Sequence, residues 1–195
     1  MTIKQRILQV AYPLLMWLSG LKNKSVKILV NKGNQQPAAS IYDTKAMLIN
    51  DSPLLLAGLK GKKILFVNTA SDCGYTNQYE DLEKLYKRYD GKLVVLGFPA
   101  NDFKEQEKDT NEAIASFCKV NFGVSFPLMK KSSVVKSATQ NEVFQWLSDA
   151  SKNGWNNQAP IWNFSKYLVD EAGMLTHYFD PSVPPLSADV VKAIG

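Results

Sequence analysis

Apolar residues concentrate in 62–70 (Lys-Lys-Ile-Leu-Phe-Val-Asn-Thr-Ala) and again in 92–98 (Lys-Leu-Val-Val-Leu-Gly-Phe), and both runs read as buried strands. Between them Tyr79, Leu82, Leu85, Tyr86 and Tyr89 recur at helical spacing, which predicts a helix over 77–90 ended by Gly91. A helix over 110–121 follows the second strand. This βαβα order implies parallel pairing of the two strands, with the crossover helix covering one sheet face. Beyond Val124 to Leu128, which contains Pro127, the pattern predicts a helix across 140–150. Strands over 166–170 and 174–179 then meet at Glu171-Ala172-Gly173 as a hairpin, and Ser187 caps a last helix ending at Ile194. The expected fold class is α/β, a central mixed β-sheet flanked by helices.

Residues 3–21 follow a different pattern. Ile3, Ile7, Val10, Ala11, Leu14, Leu15, Leu18 and Leu21 share one helical face, which Met16 and Trp17 broaden. Lys4 and Arg6 precede the apolar part and Lys22, Lys24 and Lys27 follow it, which suits a helix lying on an anionic membrane surface. A span needs about 20 apolar residues, and Gln5, Gln9, Pro13 and Ser19 interrupt this segment. An export signal and a simple packing helix remain as alternatives. No small-x-small cleavage pattern directly follows the apolar run, Ala38-Ala39-Ser40 coming later. Residues 31–40 read as a polar linker, so the expected division is an N-terminal amphipathic helix and linker over 1–39 and a folded domain over 40–195.

Composition narrows the functional classes. At 195 residues and 45% hydrophobic content, one well-packed domain with a terminal extension is expected. The net charge of +5 comes from 23 basic and 18 acidic residues that are mostly interspersed, without zinc-finger spacing or a basic helical stripe. Nucleic acid is therefore not an expected partner. With His177 the sole histidine and no Cys/His cluster, a zinc site has too few ligands, and neither metal nor cofactor is expected. His177 reads as an ordinary strand residue. Two cysteines make no disulfide framework in a chain of this size, leaving Cys73 and Cys118 as a redox pair or two free thiols.

Cys73 lies where the first strand ends and the helical pattern begins. Unpaired N–H groups and the helix dipole there favour an anion, so its thiolate is expected to form more readily than a free thiol's, unless Cys73 is simply a buried structural residue. Asp72 would oppose that thiolate if turned inward, and it is expected to face solvent.

Three segments then carry a resemblance: Val-Asn-Thr-Ala-Ser-Asp-Cys-Gly-Tyr-Thr (67–76), Leu-Gly-Phe-Pro-Ala-Asn-Asp-Phe-Lys-Glu-Gln-Glu (96–107) and Ile-Trp-Asn-Phe-Ser-Lys-Tyr-Leu-Val-Asp (161–170). In this order they resemble the glutathione peroxidase family, which has a thioredoxin-like fold, over about residues 40–195. The resemblance implies that Cys73 is the peroxidatic cysteine and that Gln106, Trp162 and Asn163 surround it. These three offer neutral N–H donors, which support developing charge on sulfur and on the leaving oxygen of a peroxide. Asn101 falls in the same motif with an expected loop-fixing role. Ala100 stands where relatives often carry a second cysteine, and Lys108 where many have proline.

By the same resemblance, Cys118 matches the resolving cysteine of thioredoxin-using members. Cys73 would become a sulfenic acid, Cys118 would condense with it, and thioredoxin, or glutathione in the alternative, would supply the electrons. Bridged Cα atoms lie within about 7 Å, so helix 110–121 is expected to unwind during turnover. The rival for Cys118 is a buried helical thiol packed beside Ile114 and Phe117. The short segment before the hairpin lacks the loop that tetrameric relatives use at their contacts, which implies a monomer with a site open to lipid hydroperoxides as well as hydrogen peroxide. The expected location is cytoplasmic, peripheral on the inner membrane through residues 3–21, or exported if residues 1–30 act as a signal or anchor. A peroxiredoxin would carry Pro-x-x-x-Thr-x-x-Cys and a dithiol exchanger Cys-x-x-Cys, and this chain has neither. The competing non-enzyme reading is a peroxide sensor or complex subunit that passes oxidation to a protein partner.

Overall fold

The computed structural model describes residues 28–107 and 109–195. The helix expected over 3–21 lies outside the described residues. The strands are β1 (Ile28–Val30), β2 (Ala46–Met47), β3 (Pro53–Leu54), β4 (Lys63–Thr69), β5 (Leu93–Pro99), β6 (Lys166–Val169) and β7 (Leu175–Phe179). The helices are α1 (Gln78–Arg88), α2 (Asn111–Phe122), α3 (Glu142–Leu147), α4 (Ala150–Asn153) and α5 (Ala188–Ile194), with single 3-10 turns at Ile41–Asp43 and Leu56–Leu59.

Five strands form one sheet in the order β1-β7-β6-β4-β5, and β2 pairs with β3 beside it. The parallel pairing expected across the first crossover is present between β4 and β5, from Lys63↔Leu93 to Thr69↔Pro99. All other pairings in the large sheet are antiparallel, so the sheet is mixed as expected. β4 lies between β5 and β6, and every residue from Ile64 to Thr69 is buried. This accounts for its near-continuous apolar run, because both of its faces are covered. Ile64 and Phe66 enter a core with Leu96, Phe98, Phe144, Trp146 and Tyr167. Leu65 and Val67 enter a second core with Tyr79, Leu82, Leu85, Phe164 and both cysteines. Helices α1 and α2 therefore cover one face of the sheet, and α3 the other.

Local chemistry sets the element ends. Thr110 Oγ1 accepts from the Ala113 N–H (3.3 Å) to start α2. Gly123 ends it at φ 63°, where the next residue, Val124, caps the Cys118 carbonyl at 3.3 Å. The helix expected over 140–150 is instead two short ones. Ser148 Oγ donates to the Phe144 carbonyl (2.7 Å), closing α3, and Asp149 caps the Ser151 N–H (2.9 Å), opening α4. Side chains that bond the local backbone compete with the helix in this way. The hairpin at Glu171-Ala172-Gly173 forms, with Gly173 at φ 86°.

The boundary expected near Ser40 falls inside the fold. β1 pairs with β7 through Ile28↔Phe179, Leu29↔Tyr178 and Val30↔His177. The polar stretch expected as a linker is then pinned in place. Asn31 Nδ2 donates to the carbonyls of Gln35 (2.9 Å) and Leu175 (3.2 Å), and Trp146 Nε1 donates to the Ala39 carbonyl (2.7 Å). A three-residue strand is too short to show alternation, and its polar continuation is held by side-chain amides that read as loop. Gly154 closes this contact from the other side, since at φ 95° a Cβ there would meet the carbonyl oxygen of Gln36. Gly154→Ala is therefore expected to destabilise the fold by roughly 2 kcal/mol or more. In urea unfolding it should lower the midpoint without changing the slope.

Candidate active site

The mixed pairing of β4 brings three loops together. The loops after β4 and β5 leave the carboxyl ends of parallel strands, and the loop before the antiparallel β6 enters at that same edge. Cys73, Gln106 and the Trp162–Asn163 pair each belong to one of these loops. Asn68, at the end of β4, fastens the first loop to the third. Its Nδ2 donates to the Trp162 carbonyl (3.1 Å), its Oδ1 accepts from the Ser165 N–H (3.0 Å), and its own carbonyl accepts from the Phe164 N–H (2.6 Å).

The Cys73 turn is closed by Thr76. Thr76 Oγ1 accepts from the Cys73 N–H (3.1 Å) and lies 2.7 Å from the Cys73 carbonyl, to which it donates. α1 begins only at Gln78. The backbone N–H aimed at the sulfur is that of Tyr75, 3.5 Å from Sγ. The side chains of Asn163 and Trp162 also act on Cys73, favouring its thiolate. Asn163 Nδ2 in turn donates to Gln106 Oε1 at 2.9 Å, and the Gln106 carbonyl accepts from the Asp72 N–H at 3.0 Å. The structure thus brings Cys73, Gln106, Trp162 and Asn163 together, with Gln106 joined through Asn163.

One expectation is corrected. Cys73 is only 8% exposed, and this burial pushes its thiol above the ordinary cysteine range. The Tyr75 N–H and the side chains of Asn163 and Trp162 pull it back, and the charge of Asp72 adds to the rise although that residue is exposed. Desolvation therefore outweighs the backbone donors beside the helix start, and the donors limit a rise rather than produce a fall.

Cys118 lies wholly buried in α2 with no disulfide to Cys73. Burial pushes its thiol up to about 12, with Tyr79 lowering and Glu107 raising it. Packed in this helix it is not a nucleophile at neutral pH.

Several supporting residues were not singled out by sequence. Lys166 is fully buried, and its Nζ donates to Gln78 Oε1 (2.9 Å) and the carbonyls of Phe164 (2.7 Å) and Asp180 (3.3 Å). It ties the start of α1 to the loop carrying Asn163. Burial pulls its ammonium down to about 7 while Asp180 opposes this. Three acceptors with no donor among them favour the charged form. Lys104 and Glu105 both adopt left-handed φ of 52°, and Lys104 Nζ lies 5.6 Å from the centre of the Trp162 ring. Asn101 holds its loop as expected, Oδ1 accepting the Glu107 N–H at 2.9 Å. Lysine inside a strand and paired Asn amides are the only sequence signals for these supports, and neither specifies a partner.

Comparison with known proteins shows the family. The family model described as Glutathione peroxidase matches residues 41–148. A glutathione peroxidase homolog BsaA of Staphylococcus epidermidis is 42% identical over 147 residues, covering 75% of this chain and 92% of that protein. Glutathione peroxidase-like peroxiredoxin 2 of Saccharomyces cerevisiae is 40% identical over 151 residues, covering 77% and 93%. Among solved structures, Trgpx in its apo form superposes with a TM-score of 0.60 at 32% identity, covering 80% of this chain and 97% of that one. A DsbF homologue from Corynebacterium diphtheriae shares the fold alone, with a TM-score of 0.60 at 13% identity over 87% and 92% of the two chains. The chain therefore belongs to the glutathione peroxidase family and is a peroxidase on a thioredoxin-like fold.

Proposed function

We propose that Cys73 reduces hydrogen peroxide and organic hydroperoxides and that Cys118 resolves the product for recycling by thioredoxin. The observation that carries this reading is the set of donors around one sulfur: the Tyr75 N–H at 3.5 Å, Trp162, and Asn163 joined to Gln106 at 2.9 Å. The Cys73 thiolate attacks the terminal peroxide oxygen, the O–O bond breaks, and the leaving oxygen departs as water or alcohol after gaining a proton. Trp162, Asn163 and Gln106 stabilise charge on sulfur and on the leaving oxygen through neutral N–H groups. Sulfur is thereby oxidised to sulfenic acid. The Cys118 thiolate then attacks that sulfur, the S–O bond breaks and the hydroxyl leaves as water after gaining a proton, giving a disulfide that a reduced thioredoxin dithiol opens by exchange. Relatives named glutathione peroxidase-like peroxiredoxins support a thiol reductant.

Resolution requires α2 to open. The high Cys118 pKa in the packed helix supports this, because release into solvent restores thiolate character as well as reach. No described helix is long and apolar enough to cross a membrane. The basic, apolar segment 3–21 supports peripheral contact with an anionic bilayer, which would place a cytoplasmic monomer beside oxidised lipid.

Four outcomes are expected. Steady-state peroxide consumption should depend on thioredoxin and its reductase and vanish in Cys73→Ser. In Cys118→Ser, thioredoxin-coupled turnover should fall while a single oxidation of Cys73 persists; undiminished turnover would remove Cys118 from the cycle. In that Cys118→Ser background, Asn163→Ala removes a bond that lowers the Cys73 pKa. Charge-assisted bonds contribute about 1.5–3 kcal/mol, so the rate constant for hydrogen peroxide at neutral pH should fall about tenfold or more. Ultraviolet titration should show the thiolate forming at higher pH. Deleting residues 1–27, which spares β1, should abolish binding to anionic liposomes; retained binding would sink the membrane reading.

A further inference from the structure

Among the described residues, Glu107 is the one strongly perturbed buried carboxyl next to the site that the peroxidase chemistry above does not use. It is 1% exposed, and its Oε2 accepts from Ser71 Oγ at 3.1 Å, two residues ahead of Cys73. Its Oε1 is buried without a partner. Its backbone N–H is held by Asn101, and its neighbour Gln106 carries the bonds to Asp72 and Asn163. On its other side its charge acts on Cys118 of α2 and on Tyr79 of α1. The Tyr79 hydroxyl faces Thr69 and Cys118 without a hydrogen bond of good geometry. The carboxyl is thus bonded to the turn that carries one thiol and lies within electrostatic reach of the other.

We propose that Glu107 is a positioning residue for the resolving step: neutral, its carboxyl seals the wall that encloses Cys118, and ionised, it favours opening of α2 and release of that thiol. This rests on Cys118 being the resolving cysteine. The groups facing Glu107 are Ser71 from the Cys73 turn, Tyr79 from α1, Cys118 from α2, and Asp109 and Lys131 from the flanking loops. Asp109 opposes its ionisation and Lys131 favours it. The Lys131 ammonium is held at the Asp109 carbonyl at 2.6 Å.

The direction follows from its titration. Burial outweighs the Ser71 bonds and pushes the packed carboxyl from 4.5 up to about 7. A carboxylic acid whose pKa is raised by packing stabilises the packed form at low pH, and this preference is lost as pH rises from the open-state value through the packed one. If opening returns Glu107 to solvent, with its carboxyl near 4.5, the opening equilibrium rises about 20-fold between pH 5.5 and 7.5. This increase multiplies the ordinary gain from Cys118 ionisation, so the pH profile of resolution is steeper than one thiol can make it.

The test is a single peroxide pulse on the full chain, in wild type, Glu107→Gln, Ser71→Ala and Cys118→Ser, between pH 5.5 and 7.5. Cys73–Cys118 disulfide is followed by quenching and mass analysis and read relative to Cys73 oxidation in the same sample. The expected result is a wild-type rise about 20-fold larger than that of Glu107→Gln, whose remaining slope is that of one thiol. Ser71→Ala, which removes a bond that favours the carboxylate, should move the wild-type profile to higher pH. This arm decides the matter if the Gln variant folds poorly. Parallel profiles for wild type and Glu107→Gln, or an unmoved Ser71→Ala profile, would overturn the role of Glu107 and leave Cys118 as resolver. No disulfide in any protein, with Cys118→Ser indistinguishable from wild type, would overturn the resolver reading and this proposal with it.

Discussion

The unequal pairing of β4 is the constraint on which the site depends. With a parallel neighbour on one side and an antiparallel one on the other, the ends of β4 and β5 and the beginning of β6 share one edge. Had β6 run parallel, the Trp162–Asn163 loop would emerge at the opposite edge, and no adjustment of side chains could return it. Asn68 turns this topological coincidence into a fixed distance by bonding Trp162, Phe164 and Ser165 from within the strand. Lys166 repeats the device one layer deeper, joining α1 to the same loop. The reactive sulfur is thus surrounded by groups whose own positions are over-determined, as preorganised electrostatic stabilisation requires.

The two thiols are governed by one competition with different outcomes. Burial raises both, but Cys73 has three donors directed at it and Cys118 has only the weak contact of Tyr79 against an opposing carboxyl. Reactivity is thereby confined to one sulfur while the other is kept inert by the packing that hides it. The cost falls on the second step, which has to dismantle part of a core. Because α2 lies at the surface and is held by a threonine cap and a left-handed glycine, that cost is local rather than global.

Much of this was legible in the chain. β4, β5, α1 and α2 announced themselves because a strand buried on both faces reads as a continuous apolar run, and a helix on a sheet as Tyr79, Leu82 and Leu85 at helical spacing. The four residues around the peroxide site were legible through three motifs in order rather than through any local signal. What stayed hidden had long-range causes. β1 exists because β7 offers an edge, and the break at Ser148 because one hydroxyl prefers the Phe144 carbonyl to water. Cys73 was expected to be acidified, and position alone could not show how completely the fold would remove water from it. Glu107 carried no reading of its own, since nothing in Lys-Glu-Gln-Glu tells which carboxyl turns inward.

The direction of β1 carries a consequence for the polarity of the molecule. Ile28 pairs with Phe179, Phe179 with Lys166, and Lys166 with Val67, so the chain enters the sheet in the row where β4 is about to end. Three strand spacings separate that entry from β4, roughly 14 Å. Ile28 therefore stands at the thiol's edge of the sheet and not at the far one. The molecule has a front, where the first paired residue of β1 and the reactive sulfur share one edge of the sheet.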